Sequence, residues 1–284
     1  MKELLDAARR FAHESGFNLI RFTVMEEPCR VSTAELVRVC RCLDLYSVAK
    51  VFTVTAVGLL CDDGRLDTNE TLGDIFGRDI PCDANPAWRN VTVDQLLLHK
   101  AGYPSGHLDI DARSLHSFGT HDFLRYLLTA DPVYIPGSDE AYSDAAFYML
   151  SQIISRRAGE PMDDMLWRRL FMPLGIDEAA WSKCPMGCPM GATGLYMSSE
   201  DTAKLGYLYL NGGTWNGERI FSEKWADTVI SRGYELKPAG RGSAYCKGGM
   251  YGQMLVVVPE RRRVVCWQAY DSGDNTPLLN IACS

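Results

Sequence analysis

The chain has 284 residues, 46% of them hydrophobic and 23% charged, a balance that predicts a globular protein with a substantial core. A formal net charge of −7 argues against nucleic acid or an anionic membrane as a partner. The longest apolar run, Val51 to Cys61, is too short to cross a bilayer.

The opening "MKELLDAARRFAHESG" is broken by charges and lacks the apolar stretch of a signal peptide, so a cytoplasmic location is expected. Leu4, Leu5, Ala8, Phe11 and Ala12 recur at helical spacing and predict a surface helix ended by Gly16. "FNLIRFTVMEE" reads as a strand, and a second short strand is read within "ELVRVCRCL". A helix from about Ser47 to Cys61 stops at Asp62-Asp63-Gly64. From about Asp74 to Cys188 the pattern is helices and long loops rich in Pro, Gly and Asp. "VTVDQLLLHKAG" and "DAAFYMLSQIISRRAG" are its clearest helices, each closing on a glycine. "SSEDTAKLGYLYLNGG" is a further helix with Leu205, Leu208 and Tyr209 on one face. "GQMLVVVPERRRVVCWQAY" is an antiparallel hairpin, and "NTPLLNIACS" is too short to read as a closing helix.

Strands at both ends with helices between predict an α+β fold (an α/β sandwich), its antiparallel sheet built from both chain ends and flanked by helices. A single domain is expected, with a sheet lobe at about 1–73 and 189–284 and a mostly helical lobe at about 74–188. The ten cysteines, in a long chain without a signal, are expected to be reduced. Cys40-Arg-Cys42 and Cys184-Pro-Met-Gly-Cys188 lack the paired spacing of a zinc site and have no histidine nearby. No metal and no cofactor is expected.

One stretch needs explaining. In "LDLYSVAKVFTVTAVGLLCDDG" Ser47 and Lys50 open a helix that is otherwise almost wholly apolar. Positions i and i+3 face the same way, so the two side chains can meet. A desolvated lysine loses part of its preference for the charged form, and its free amine can take a proton from a serine. The N–H groups of the helix start offer stabilisation to an oxyanion. The competing reading is a capping serine and a lysine reaching back to solvent.

Context favours the nucleophile, because the chain resembles the penicillin-recognising serine hydrolases: class C β-lactamases, D-alanyl-D-alanine peptidases and related esterases. "YSVAKVFTVTAVGLLCDDGRLDTNETLGDIF" resembles the nucleophile helix and following turn, and "VTVDQLLLHKAGYPSG" the Leu-Leu-x-His-x-x-Gly segment. "PGSDEAYSDAAFYMLSQIISRRAGEPMDDMLWRRLFMPLGI" resembles the Tyr-x-Asn helix with its flanks. "GLYMSSEDTAKLGYLYLNGGTWNGERIFSEKW" and "GGMYGQMLVVVPE" resemble two late segments, all in the family's order. The resemblance implies a β-lactamase/transpeptidase-like fold, Ser47 as the nucleophile, Lys50 as its partner and Tyr142 as a tyrosine sharing the proton traffic. A phenol titrates near ~10 in water, and a nearby ammonium favours its phenolate. His99 matches the end of the leucine-rich segment and reads as structural.

Two departures from the family stand out. Tyr142-Ser143-Asp144 carries a carboxylate where the family has an amide, and an ionised carboxylate cannot donate to a substrate carbonyl. Asp144 also reads as a helix cap, as does Ser143. The third motif is blurred, with Lys247-Gly248-Gly249 as the candidate: either substrate-contacting or a turn between strands. In the first case the backbone N–H of Met250 would complete an oxyanion hole with that of Ser47. The reading is a serine hydrolase forming an acyl-enzyme on Ser47, with a small-molecule ester or amide as substrate and poor activity on β-lactams. A β-lactamase or D-amino-acid peptidase is the alternative among enzymes, and a catalytically quiet ligand-binding or sensor domain the alternative outside them. The oligomeric state is open.

Overall fold

In the computed structural model, which describes residues 1–240 and 242–284, the sheet forms around one fully covered strand. Leu19–Glu27 (β1) is buried over its first seven residues, as a strand covered on both faces must be. On one side it pairs with Arg30–Glu35 (β2). On the other it pairs with Arg263–Ala269 (β11), followed by Met254–Val258 (β10), Tyr245–Gly248 (β9) and Lys237–Pro238 (β8), every pair antiparallel. Both chain ends therefore contribute to one sheet. The period of two then sorts the side chains. Phe22, Val24, Val265 and Trp267 meet Leu4, Leu5 and Ala8 of helix α1 (Lys2–Ser15) and Leu278 and Ala282 of helix α10 (Thr276–Cys283). Phe22 stacks on its cross-strand partner Trp267 with centroids 5.7 Å apart.

The opposite face carries Thr23, Val264, Cys266 and Gln268 and is covered by helix α8 (Ser199–Leu210). Thr23 Oγ1 and Ser199 Oγ are 2.7 Å apart, and Gly206 lies directly over Val264 and Leu255. This sandwich is most of one compact unit, formed by 1–52, 169–180 and 195–284. It also holds strand β3 (Leu43–Asp44), paired with β5 (Leu195–Met197), the small hairpin of β6 (Thr214–Trp215) and β7 (Glu218–Arg219), and helix α9 (Glu223–Arg232).

The second unit comprises 53–168 and 181–194. The chain enters it within helix α2 (Ala49–Asp62) and continues through α3 (Leu72–Phe76), α4 (Val93–Leu97), α5 (Phe123–Thr129), α6 (Asp144–Ala158) and α7 (Met162–Leu166). It returns at the short strand β4 (Ala180–Trp181). Helix α6 is the unit's axis, with Asp144 to Ser151 all buried and Gly159 closing it in the left-handed conformation. Gly191 passes so close to α6 that a β-carbon there would lie 2.5 Å from the Phe147 carbonyl oxygen. The α+β architecture expected from the sequence is the one observed.

Three local expectations are corrected. Most of "ELVRVCRCL" is not a strand: β2 ends at Glu35, and the carbonyls of Val39, Cys40 and Arg41 accept from the Arg21 and Gln268 side chains instead of a ladder. Helix α4 is a single capped turn, Thr92 and Gln95 forming a capping box, and it stops before His99, which takes φ +55°. The C-terminal segment does form a helix, α10, short but anchored on the sheet by Leu278 and Ala282.

Gly206 gives a direct test of the packing of α8. A β-carbon at this position would sit 2.6 Å from Val264 Cγ1 and 2.9 Å from Leu255 Cδ1. Gly206→Val should lower the unfolding free energy by about 1–3 kcal/mol through overpacking, read from urea denaturation. An unchanged midpoint would show that α8 can lift from the sheet at no cost.

Candidate active site

The first unit carries Ser47, Lys50, Lys247, Gly249 and Met250; the second carries Tyr142 and Asp144. Ser47 sits in a 3-10 turn, Tyr46–Val48, that runs straight into α2. Lys50, one turn on, is fully buried, and its Nζ lies 3.1 Å from Ser47 Oγ, donating to it. Ser47 itself is half-buried. The serine–lysine pair inferred from spacing is thus in contact, with the amine out of water and the hydroxyl at its edge.

The turn is held by features that the sequence did not advertise. Tyr46 has φ +48°, a conformation that costs a bulky residue of order 1–3 kcal/mol and persists only where its surroundings impose it. Asp44 Oδ1 accepts from the Tyr46 N–H at 2.8 Å, and the Tyr46 ring meets the edge of Tyr251 at 5.0 Å. Tyr251 in turn stacks on Tyr270 at 4.5 Å. These rings join the Ser47 turn to the loop between β9 and β10.

The third motif, Lys247-Gly248-Gly249, runs from β9 into that loop. Gly249 approaches the Ser47 turn so closely that a β-carbon would lie 2.8 Å from the Leu45 carbonyl oxygen and 2.6 Å from Gln253 Oε1. Gln253 is buried, accepts from the Tyr251 N–H at 3.1 Å and donates to the Ala269 carbonyl at 2.8 Å. Among the described residues, no hydrogen bond within the protein uses the backbone N–H of Ser47 or of Met250. Lys247 lies within β9 and forms an ion pair with Glu235, whose carboxylate is buried and whose backbone has φ +64°. Its charge is met inside the protein.

In the second unit, Tyr142 is 39% exposed and its ring packs on His99 at a tilt of 37°, with centroids 4.4 Å apart. His99 is buried, its Nδ1 accepts from the Ser143 N–H at 3.3 Å, and its carbonyl accepts from the Ala141 N–H at 2.9 Å. The Tyr142 carbonyl accepts from the Gly106 N–H at 2.9 Å, and the His107 carbonyl accepts from the Ala145 N–H at 3.1 Å. The 99–107 loop therefore clamps the start of α6 from both sides of Tyr142. Ser143 occupies the N-cap position of α6 without a capping side-chain bond, and its buried hydroxyl has no partner among the described residues.

Asp144 is buried, and its carboxylate groups with those of Asp109 and Asp111, one oxygen from each within 4.8 Å of the others. Such oxygens could hold a hard cation. Thr193 Oγ1 donates to Asp111 at 2.7 Å, and the N–H groups of Asp111 and Ala112 donate to Asp109 at 3.1 Å. Cys42, beside Glu178, has its thiol pushed up to about 11 by burial and by that carboxylate, which makes it a poor thiolate ligand.

The family model for "Beta-lactamase" matches residues 37–276. The chain belongs to the β-lactamase family. A Salmonella typhimurium protein named "Putative D-alanyl-D-alanine carboxypeptidase" is 23% identical, the match covering 78% of this chain and 61% of that protein. The chain thus spans about three fifths of the length of the curated relatives it matches. A penicillin-binding protein homologue from Caulobacter crescentus superposes with a TM-score of 0.74 at 16% identity, over 99% of this chain and 96% of that one. A family VIII carboxylesterase gives 0.77 at 17% identity, with the same coverage. At these identities the likeness is one of fold. Among the described residues, no helix is long and apolar enough to cross a membrane.

His107 supplies a pH test of the clamp. It is stacked between Tyr103 and Tyr126, and its Nε2 has no partner among the described residues. Burial, reinforced by the Arg113 guanidinium, holds the imidazole below the usual histidine value. The unfolded chain takes up this proton near pH ~6.5 and the folded chain only at lower pH, so the term is silent above that value and destabilises as pH falls below it. His107→Phe should flatten the loss of urea resistance just below pH ~6.5. A slope unchanged by the substitution would assign it to other groups.

Proposed function

We propose that this β-lactamase-family hydrolase works through an acyl-enzyme on Ser47 and that its substrate is a small neutral ester or amide. The observation that carries the mechanism is the 3.1 Å contact between Ser47 Oγ and a fully buried Lys50. Burial withholds the hydration that an ammonium needs, which favours the free amine. In that form the contact runs in reverse, Ser47 Oγ–H donating to the Lys50 nitrogen as Oγ attacks the substrate carbonyl. The backbone N–H groups of Ser47 and Met250 stabilise the oxyanion, and Gly249 allows the Met250 loop its close approach to the Ser47 turn. Tyr142 shares the proton transfer to the leaving group; the support for that role is its place in the family motif. Asp144 and Gly249 take part as substrate-contacting positions on the same ground. Water then hydrolyses the ester on Ser47, its proton passing to the Lys50–Tyr142 path.

The substrate reading rests on charge. A cation beside a nucleophile recognises an anionic group on the substrate, but Lys247 is neutralised by Glu235, and the chain as a whole is acidic at −7. Substrates with a free carboxylate, as β-lactams and D-amino-acid peptides have, lose that attraction. The family VIII carboxylesterase among the solved structures agrees with an ester.

A fluorophosphonate should label Ser47 alone, and Ser47→Ala should abolish both labelling and turnover of p-nitrophenyl esters. Lys50→Ala and Tyr142→Phe should each slow acylation by about 10²-fold or more, with the double variant little worse, as expected of one proton path. Labelling at another serine ends the mechanism; a stoichiometric burst without turnover marks a quiet binding domain; fully additive losses remove Tyr142 from the path.

Releasing the Lys247 charge tests the substrate class. Glu235→Gln should raise the kcat/KM of an ester bearing a free carboxylate by about tenfold relative to its neutral isostere. An equal loss on both esters would make the Glu235–Lys247 pair purely structural.

A further inference from the structure

The Cys184-Pro-Met-Gly-Cys188 segment has no part in the chemistry above. It is the turn of a narrow hairpin in the second unit. The Cys184 N–H donates to the Cys188 carbonyl at 2.8 Å and the Met190 N–H to the Ser182 carbonyl at 3.0 Å, with Lys183 and Pro189 bridging antiparallel between them. Cys184 and Cys188 are therefore the next directly opposed pair, and opposed residues send their side chains to the same face. In a hydrogen-bonded antiparallel pair the α-carbons are about 5.5 Å apart, within the span of a disulfide. The Cys184 thiol is near enough to raise the Cys188 thiol, second to burial.

Both thiols lie against α6. The Tyr148 hydroxyl donates to Cys184 Sγ at 3.4 Å, and the Gln152 side chain, one turn on, reaches Cys188. Ser151 Oγ, between them, donates to the Pro189 carbonyl at 2.7 Å, so the hairpin is pinned to the helix on both flanks of the pair. Access is unequal. Cys184 is buried and Cys188 half-buried, while Met186 at the tip is 62% exposed.

We propose that Cys184 and Cys188 form a dithiol site that closes to an intramolecular disulfide on reaction with a small disulfide oxidant. The thiolate of Cys188, the more accessible sulfur, attacks the oxidant's S–S bond, forming a mixed disulfide and expelling one thiolate. The Cys184 thiolate then attacks Cys188 Sγ and expels the second. Two protons leave the protein thiols, and two electrons reduce the oxidant to its two thiols. Cys40 and Cys42 are the other close spacing in sequence, but the Glu178 carboxylate beside Cys42 opposes its thiolate. Burial and the neighbouring Cys184 raise the Cys188 thiol too, with no carboxylate among the causes and with Gln152 and Lys183 offsetting the rise in part.

The test uses the whole folded chain. It is incubated with glutathione disulfide, trapped with iodoacetamide, digested and mapped. Both Cys184 and Cys188 should vanish from the alkylated pool and appear linked within one peptide, lighter by two hydrogens, with dithiothreitol restoring both. Alkylation of both thiols at the level of the untreated protein would overturn the proposal. So would a glutathione adduct that persists on Cys188 while Cys184 stays reduced. In Cys188→Ser, Cys184 should remain reduced under the same treatment; its capture by a different cysteine would show that the pairing is wrong. If that variant does not fold, mapping of the natural chain alone decides.

Discussion

A lysine with no exposed surface at the start of a helix is the constraint from which the candidate site follows. An amine buried in this way must be partnered, and a lysine side chain on a helix reaches back over the preceding turn, where a hydroxyl can meet it. Ser47 is that partner at 3.1 Å. Holding the hydroxyl at the edge of solvent while the amine is sealed in requires a sharp change of chain direction just before the helix. The left-handed Tyr46 supplies it, and Asp44 and Tyr251 hold Tyr46 there. Strain of this kind is found where the surroundings over-determine the backbone, and it is consistent with a preorganised nucleophile.

The same logic explains why the residue that follows β9 is a glycine. Whatever residue followed Gly248 had to bring its backbone against the Leu45 carbonyl, and any side chain would collide with it or with Gln253. Gln253 then takes up groups that the tight loop leaves over, bridging Tyr251 and Ala269. The chemistry proposed for Ser47 thus draws on the 3-10 turn and on the β9–β10 loop, each of which is shaped by a residue that looks unremarkable in the sequence.

Legibility followed the range of the interactions. Helix α2 and its Ser47–Lys50 pair, helices α6 and α8, and the β10–β11 hairpin are written in local periodicity, and they form over nearly the residues expected. The segment after β2 misled because its apolar residues suggest a strand, while Arg21 and Gln268, distant in sequence, intercept its carbonyls. Helix α4 looked longer because nothing local announces that His99 turns left-handed to receive the Ser143 N–H. Lys247 was visible as a cation but not as half of an ion pair, since Glu235 enters from a different segment in a conformation that sequence does not favour.

Pairing Lys247 with Glu235 also bears on how the family's scaffold is put to use. Burying two opposite charges together costs desolvation on both, and such a pair adds little or nothing to stability over apolar residues of the same size. The positive φ of Glu235 adds strain to that cost. A pair with so weak a stability rationale is better explained by what it withholds. With its charge satisfied, Lys247 fixes the position of β9 beside the Ser47 turn without offering a bare cation to solvent. Under the proposed function, an acidic chain with a masked lysine disfavours small carboxylates and leaves neutral esters to compete on shape and apolar contact. On the function proposed above, the fold is retained for the serine–lysine pair, and selectivity is set by the electrostatics of the strand beside it.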